Sequence, residues 1–247
     1  MDFDSKILKN KSKAFIIHLL ISLGSMLIVY SLIKLLWFPS PLIKATGVGK
    51  IFIMILFVDL VLGPLLTFIV YKKNKKTLIV DLTIIILLQL NALGYGVYAI
   101  YQARPVWIVY VVDRFESVRA NDIFDDYEKR YNLPKLGPKY VYVDLDKMSI
   151  SEKSELIFRE MQYGISPAQL PNFHSDYELA KPLLITHTRS ISILNDYNDS
   201  ADVEAVLNKY PQASSFLPLK SNEMDMTVLI DKNSENPVIK IVDLRPW

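Results

Sequence analysis

Three apolar windows, Ala14 to Trp37, Ile51 to Tyr71 and Thr77 to Ala103, fill most of the first 103 residues of this chain. A bilayer core of about 30 Å is spanned by roughly 20 residues rising 1.5 Å each, so every window is long enough to cross once as a helix. The apolar fraction of 51% therefore averages two unlike halves. From Arg104 to Trp247 charges, prolines and aromatics occur at ordinary density, and about 140 residues suffice for one modest globular core. The predicted protein has a membrane domain over 1–103 (helices about 14–37, 51–71 and 77–103) and a soluble domain over 104–247.

Lysines set the orientation. Lys6, Lys9, Lys11 and Lys13 precede the first window, and Lys72, Lys73, Lys75 and Lys76 lie in the tight link between the second and third. The positive-inside bias makes these the cytoplasmic ends. The loop Phe38 to Gly49 holds only Lys44, with Lys50 at its border and Trp37 at the interface, so it faces outward. Three crossings leave the N-terminus inside and everything after Arg104 outside, which in a Gram-negative cell is the periplasm. The first window is too long for a signal peptide and lacks a small-x-small cleavage site, so it reads as a retained anchor. A net charge of +2 with lysines at helix ends offers no basic stripe for nucleic acid; the partner these segments imply is membrane lipid. The absence of cysteine excludes disulfides, thiol catalysis and thiolate metal sites.

A carboxylate at mid-membrane costs about 2.5 to 3.5 kcal/mol on insertion scales, so Asp59 is expected to face protein. Asp59 and Gln89 each lie twelve residues from the link between their helices, which puts them at one depth as hydrogen-bond partners in an interhelical clamp. Asp59, Gly63 and Thr67 recur every four residues on a packing face, and Pro64 beside them is able to bend the helix and free a carbonyl. Asn91, Tyr95, Tyr98 and Gln102 form a second polar arc on the third helix, which clamps the bundle or meets a partner. Asp81 lies about a turn inside the cytoplasmic boundary, near Lys75, Lys76 and His18. Lys34 snorkels from the outer end of the first helix.

In the soluble part, Ala103-Arg104-Pro105 ends the third helix, and the β-branched run Val106 to Val112 reads as a buried strand. Helices are predicted over Asn121 to Tyr131, Ser151 to Tyr163 (capping box Ser149/Glu152, stop at Gly164) and Asp202 to Tyr210. Lys139 to Leu145 is a strand, Met226 to Asp231 and Val238 to Leu244 form a terminal hairpin, and Ser166 to Ala180 is loop-rich. Leu183 to Asn195 fits helix or strand equally. The result is a mixed α+β domain with a small sheet. Asp144 and Asp146 superficially resemble the Asp-x-Asp of sugar-nucleotide transferases but read as a strand-ending pair. His174 and His187 lack ligand-spaced partners, and Asp113-Arg114 reads as a buried ion pair. No cofactor, metal or catalytic site is indicated.

The runs Val58-Asp59-Leu60-Val61-Leu62-Gly63-Pro64-Leu65-Leu66-Thr67, Asp81-Leu82, Leu88 to Gly96, Ala103-Arg104-Pro105-Val106, Asp113-Arg114-Phe115, Phe216-Leu217-Pro218-Leu219 and Asp225 to Asp231 together form a running signature. In them the chain resembles the type IV pilin accessory proteins, the TfpX/TfpZ fimbrial-assembly family. The resemblance spans most of the chain from Ile51 onward. It implies an inner-membrane protein, without enzymatic activity, that helps the major type IV pilin and other assembly components through protein contacts. The interaction or packing positions it covers are Asp59, Gly63, Pro64, Thr67, Asp81, Gln89, Asn91, Tyr95, Arg104, Asp113 and Arg114.

Two rival readings are weaker. An intramembrane aspartyl protease needs Asp59 and Asp81 within a few ångströms, yet about eight residues of depth, roughly 12 Å, separate them. A membrane-anchored sensor would have only a short tail and a tight link on the cytoplasmic side.

Overall fold

The computed structural model describes residues 2–124 and 131–247. Contacts divide the chain into two units, Met1–Leu35 with Val48–Gln102, and Leu36–Gly47 with Ala103–Trp247. In the first unit α1 runs Asp2–Leu36, the second span runs from α3 (Val48–Phe57) through a π-helical turn (Val58–Leu62) into α4 (Gly63–Val70), and α5 covers Leu78–Gln102. Lys6–Leu36, Val48–Val70 and Leu78–Gln102 are each long and apolar enough to cross a membrane. Helix α1 starts well before its apolar window because the lysines at its start lower hydropathy without opposing helix formation.

The second unit is built on a mixed seven-stranded sheet of order β4-β3-β1-β2-β5-β6-β7. Its strands are β1 (Pro105–Val111), β2 (Arg114–Arg119), β3 (Lys139–Val143), β4 (His174–Ser175), β5 (Ser215–Lys220), β6 (Met226–Ile230) and β7 (Val238–Val242). β1 is buried along its whole length, as its unalternating β-branched run requires. Its side chains divide between two cores. Ile108 and Tyr110 join Phe115, Leu217 and Val228 on one face, while Val109 and Val111 join Val118, Val143 and Ala168 on the other. Phe216, Leu229 and Val242 extend the second face beneath α8 (Ser200–Lys209), which contributes Val203.

The short helix α2 (Leu42–Thr46) belongs to this same core. Leu42 and Ala45 pack with Tyr110, Leu219 and Met226. The Ala45 carbonyl accepts from the Glu223 and Met224 amides at 3.0 and 3.1 Å, and Lys44 pairs with Asp243 at 2.7 Å. By sequence Leu36 and Trp37 end the first span and Phe38 to Gly49 form an outward loop of the membrane domain; in the structure residues 36–47 contact a sheet that starts some sixty residues later.

The capping box of Ser149 and Glu152 and the left-handed Gly164 bound α6 (Ile150–Tyr163) as expected. The terminal hairpin pairs β6 with β7 from Thr227↔Val242 to Ile230↔Val238. The ambiguous stretch 183–195 falls mainly to helix, with α7 (Lys181–Thr186) and a 3-10 turn over Ile191–Asp196, and Arg189 bridges to Phe216 between them. Of the helix predicted from Asn121 to Tyr131, residues 125–130 lie outside the described residues; Ala120–Asp122 form a 3-10 turn, and Ile123 and Phe124 are not helical.

The β1–β2 hairpin turns through Val112 and Asp113, with Val112 at φ 56°. A β-branched residue is strained in this left-handed region, whereas asparagine tolerates it. Val112→Asn is therefore expected to raise the thermal midpoint of the detergent-solubilised protein by about 3 °C, the equivalent of about 1 kcal/mol of relieved strain. A fall would mean that contacts of the half-exposed Val112 side chain outweigh that strain.

Candidate functional site

The polar site in the membrane unit begins with a proline. In the π-helical turn the Gly63 N–H donates to the Val58 carbonyl, one residue further back than in an α-helix. By the same spacing the Asp59 carbonyl would accept from residue 64, which is proline and has no N–H. Gln89 of α5 fills that place, its Nε2 donating to the Asp59 carbonyl at 3.3 Å. Gly63 makes the approach possible, because a Cβ there would stand 2.0 Å from Gln89 Nε2. Two turns along α5 from Gln89, Gly96 similarly admits Ile55, whose Cδ1 would lie 2.4 Å from an added Cβ.

The structure thus brings Asp59 and Gln89 together as expected, the Gln89 amide bonding the Asp59 main chain and facing its carboxyl. The Asp59 side chain is buried, at 3% exposure, and its Oδ1 has no hydrogen-bond partner among the described residues. Gly63, Pro64 and Thr67 are buried beside it. Thr67 meets the first helix, with its Oγ1 2.6 Å from His18 Nδ1. Lys11 donates to the Ile69 carbonyl at 3.2 Å, Phe15 meets Phe68 edge-on, and Tyr30 meets Phe52, so α1 leans on the second span along its length. Asp81 pairs with Lys75 at 2.6 Å and accepts from the Thr77 hydroxyl.

The second polar arc does not join this cluster. Asn91 donates to the Leu87 carbonyl of its own helix, Gln102 donates to the Tyr98 hydroxyl, and Tyr95 is 75% exposed.

Because α1 and α5 both pack on the second span, a groove of about 720 Å³ opens between them. Ala14, His18, Ser22 and Ser25 line one wall, Ile86, Gln89, Leu90 and Leu93 the other, and Asp59 and Thr67 form the floor. Of the α1 wall the sequence singles out only His18, as a neighbour of Asp81; in the structure it meets Thr67 instead, and Asp81 is paired with Lys75. The signal of the wall as a whole was the run of small and polar residues at spacings of four, four and three.

In the sheet unit the singled-out residues serve the fold. Arg104 is buried and donates from Nε and Nη2 to the Pro134 carbonyl at 3.2 and 3.1 Å. Asp113 is 45% exposed and only 3.7 Å from Arg114, so the expected buried pair is a surface contact at the hairpin turn. Arg114 is held instead by the buried Glu116, at 2.9 Å, because both alternate onto one side of β2. Asp144 caps the turn after β3, accepting from the Asp146 amide, and its pairing with Lys147 holds its carboxyl below the usual range. His174 bonds the Ala168 carbonyl and lies edge-on to Trp107; burial lowers its pKa. His187 Nδ1 is 2.9 Å from the Tyr110 hydroxyl, whose own pKa burial raises. Burial also pushes Tyr140 up to about 12. Among the described residues no three His, Cys, Asp or Glu side chains gather as a metal site.

Comparison with known proteins finds relatives that match along most of the chain. It is 34% identical over 240 residues to "Fimbrial assembly protein, serogroup I" of Dichelobacter nodosus, an alignment covering 88% of this chain and 89% of the relative. The serogroup E1 protein of the same organism matches with the same identity and coverage. The protein of serogroups C1 and C2 is 41% identical over 112 residues, 44% of this chain and 86% of the relative. No family model matches the chain. No solved structure matches it.

Proposed function

Since the chain belongs to the family of fimbrial assembly proteins, we propose that it is an inner-membrane accessory protein of type IV pili, which stabilises, presents or helps assemble the major pilin by direct contact. The observation that carries this reading is similarity along nearly the whole chain, through both the membrane unit and the sheet unit. The protein works by binding and not by catalysis. This fits the use of Arg104, Asp144, His174 and His187 in hydrogen bonds and ion pairs within the fold.

The protein crosses the inner membrane three times, with its N-terminus in the cytoplasm and its sheet domain in the periplasm. Lysines before the first span and between the second and third support that orientation. The membership of residues 36–47 in the sheet unit supports the number of crossings, because the end of the first span and the end of the third must then share one side. A reporter active only outside the cytoplasm is expected to be on when fused after Trp247 and off when inserted between Tyr71 and Thr77; the reverse pattern would sink the orientation. The function itself is tested by deleting the gene and counting surface pili.

A further inference from the structure

We propose that the groove between α1 and α5 seats a single transmembrane helix of another protein, one that carries a hydrogen-bond donor at the depth of Asp59. The proposal rests on reading the chain as a membrane-embedded binding protein, and it names the surface and the chemistry of the contact.

Hydrocarbon offers no partner to a polar atom, and an unsatisfied group in lipid costs several kcal/mol. The floor of the groove holds such a group in the Asp59 carboxyl, whose Oδ1 has no partner among the described residues. Its neighbours leave Oδ1 unanswered: the Gln89 amide, bonded to the Asp59 carbonyl, also faces the carboxyl, and His18, bonded to Thr67, lies near it, but neither reaches Oδ1. A lipid tail would fill the apolar walls and leave the carboxyl as it is. A helix satisfies its own backbone internally and brings a side-chain donor, which a rotation of the carboxyl about its Cβ–Cγ bond would meet.

The α1 wall suits a helix for a second reason. Ala14, Ser22 and Ser25 are small, and small residues let two helix backbones approach closely enough for dispersion and side-chain hydrogen bonds to hold them without a hydrophobic driving force. Both walls also leave long apolar side chains uncovered at the rim, with Ile21, Ile86 and Leu90 all at least half exposed.

The test uses the full chain in piliated cells, with a photo-crosslinking amino acid at Ser25 or Leu90 in the groove. Controls carry it at Leu27 or Leu88, which are exposed but do not line the groove. The expected result is an adduct from the groove positions only, joined within the membrane helix of a single-pass protein and close to a donor side chain or amine. Asp59→Asn, which keeps an acceptor, should retain the adduct, whereas Asp59→Leu should lower its yield about tenfold or more, the effect of about 1.4 kcal/mol. Asp59→Leu also disturbs the floor, so Ile86→Trp, which fills the groove from an exposed wall position, is the second variant and should lower the Ser25 adduct as far. Adducts to lipid alone, adducts to a second copy of this chain, equal yields from groove and control positions, or Asp59→Leu and Ile86→Trp yields matching the unsubstituted chain would each overturn the proposal. Pilus counts in the deletion strain separate the two readings. Lost pili with only lipid adducts removes the groove and leaves the accessory role, while normal pili with the helix adduct does the opposite.

Discussion

Residues 104–247 produced alone should fail to reach a cooperative fold, and joining residues 36–47 to them through a flexible linker should restore it. The cut removes Leu42 and Ala45 from the centre of one core and exposes Tyr110, Leu219 and Met226 beneath them. It also strips the Glu223 and Met224 amides of the Ala45 carbonyl they share. In the intact protein Leu42→Ala is expected to cost about 2 to 5 kcal/mol, in line with other large-to-small changes in cores. Leu42→Asp should be worse, since it buries a charge with nothing placed to pair it. Protease resistance and near-ultraviolet circular dichroism read the outcome. A fragment 104–247 that melts as sharply as the version carrying 36–47 would show that α2 merely rests on a domain already complete.

Deletion of the gene should remove most surface pili and with them twitching or DNA uptake, and single substitutions at Asp144, His174 or His187 that leave the domain folded should not reproduce that loss. Asp144→Asn and His187→Gln are the informative variants, because each keeps a hydrogen-bonding group where the structure uses one. A binding protein distributes its energy over a patch with a few dominant anchors, whereas an enzyme fails when one reacting group is lost. A folded Asp144→Asn or His187→Gln protein as inactive as the deletion would point to chemistry instead of contact. Normal piliation in the deletion strain would remove the accessory role altogether.

What the sequence disclosed, and what it withheld, follows the range of the interactions involved. Three spans, the shared depth of Asp59 and Gln89, and the carbonyl freed by Pro64 all come from counting along helices, where geometry is local. The strands β1, β3, β6 and β7 were legible because β-branched runs or turn residues mark them. Strand β2 was not, since Val112 and Asp113 replace the Asn-Gly or Asp-Gly that usually announces a two-residue hairpin turn. Strand β5 was hidden by Pro218, which argues against a central strand. The structure admits it because β2 pairs with β5 only at Leu219 and Lys220, beyond the proline. The groove was half visible. Asp59 and Gln89 stood out as polar residues in an apolar run, but His18, Ser22 and Ser25 acquire meaning only once α1 is laid against the second span. The pairing of α2 with the sheet was out of reach of any local rule, because Leu42 and Met226 are brought together only by the completed fold.

That last pairing has a consequence for how the protein is made. Leu42 and Ala45 leave the ribosome long before β5 and β6, and at about 5 to 20 residues per second they must wait roughly 9 to 36 seconds for the strands that cover them. In the three-crossing topology proposed above, two further spans are inserted during the wait, the second returning the chain across the bilayer and the third bringing it back. If one of them fails to insert, the later strands emerge on the wrong side and α2 has no sheet to join. The sheet domain thereby reports on the insertion of the helices before it: a mis-inserted chain keeps an incomplete core, open to the proteases that remove such products.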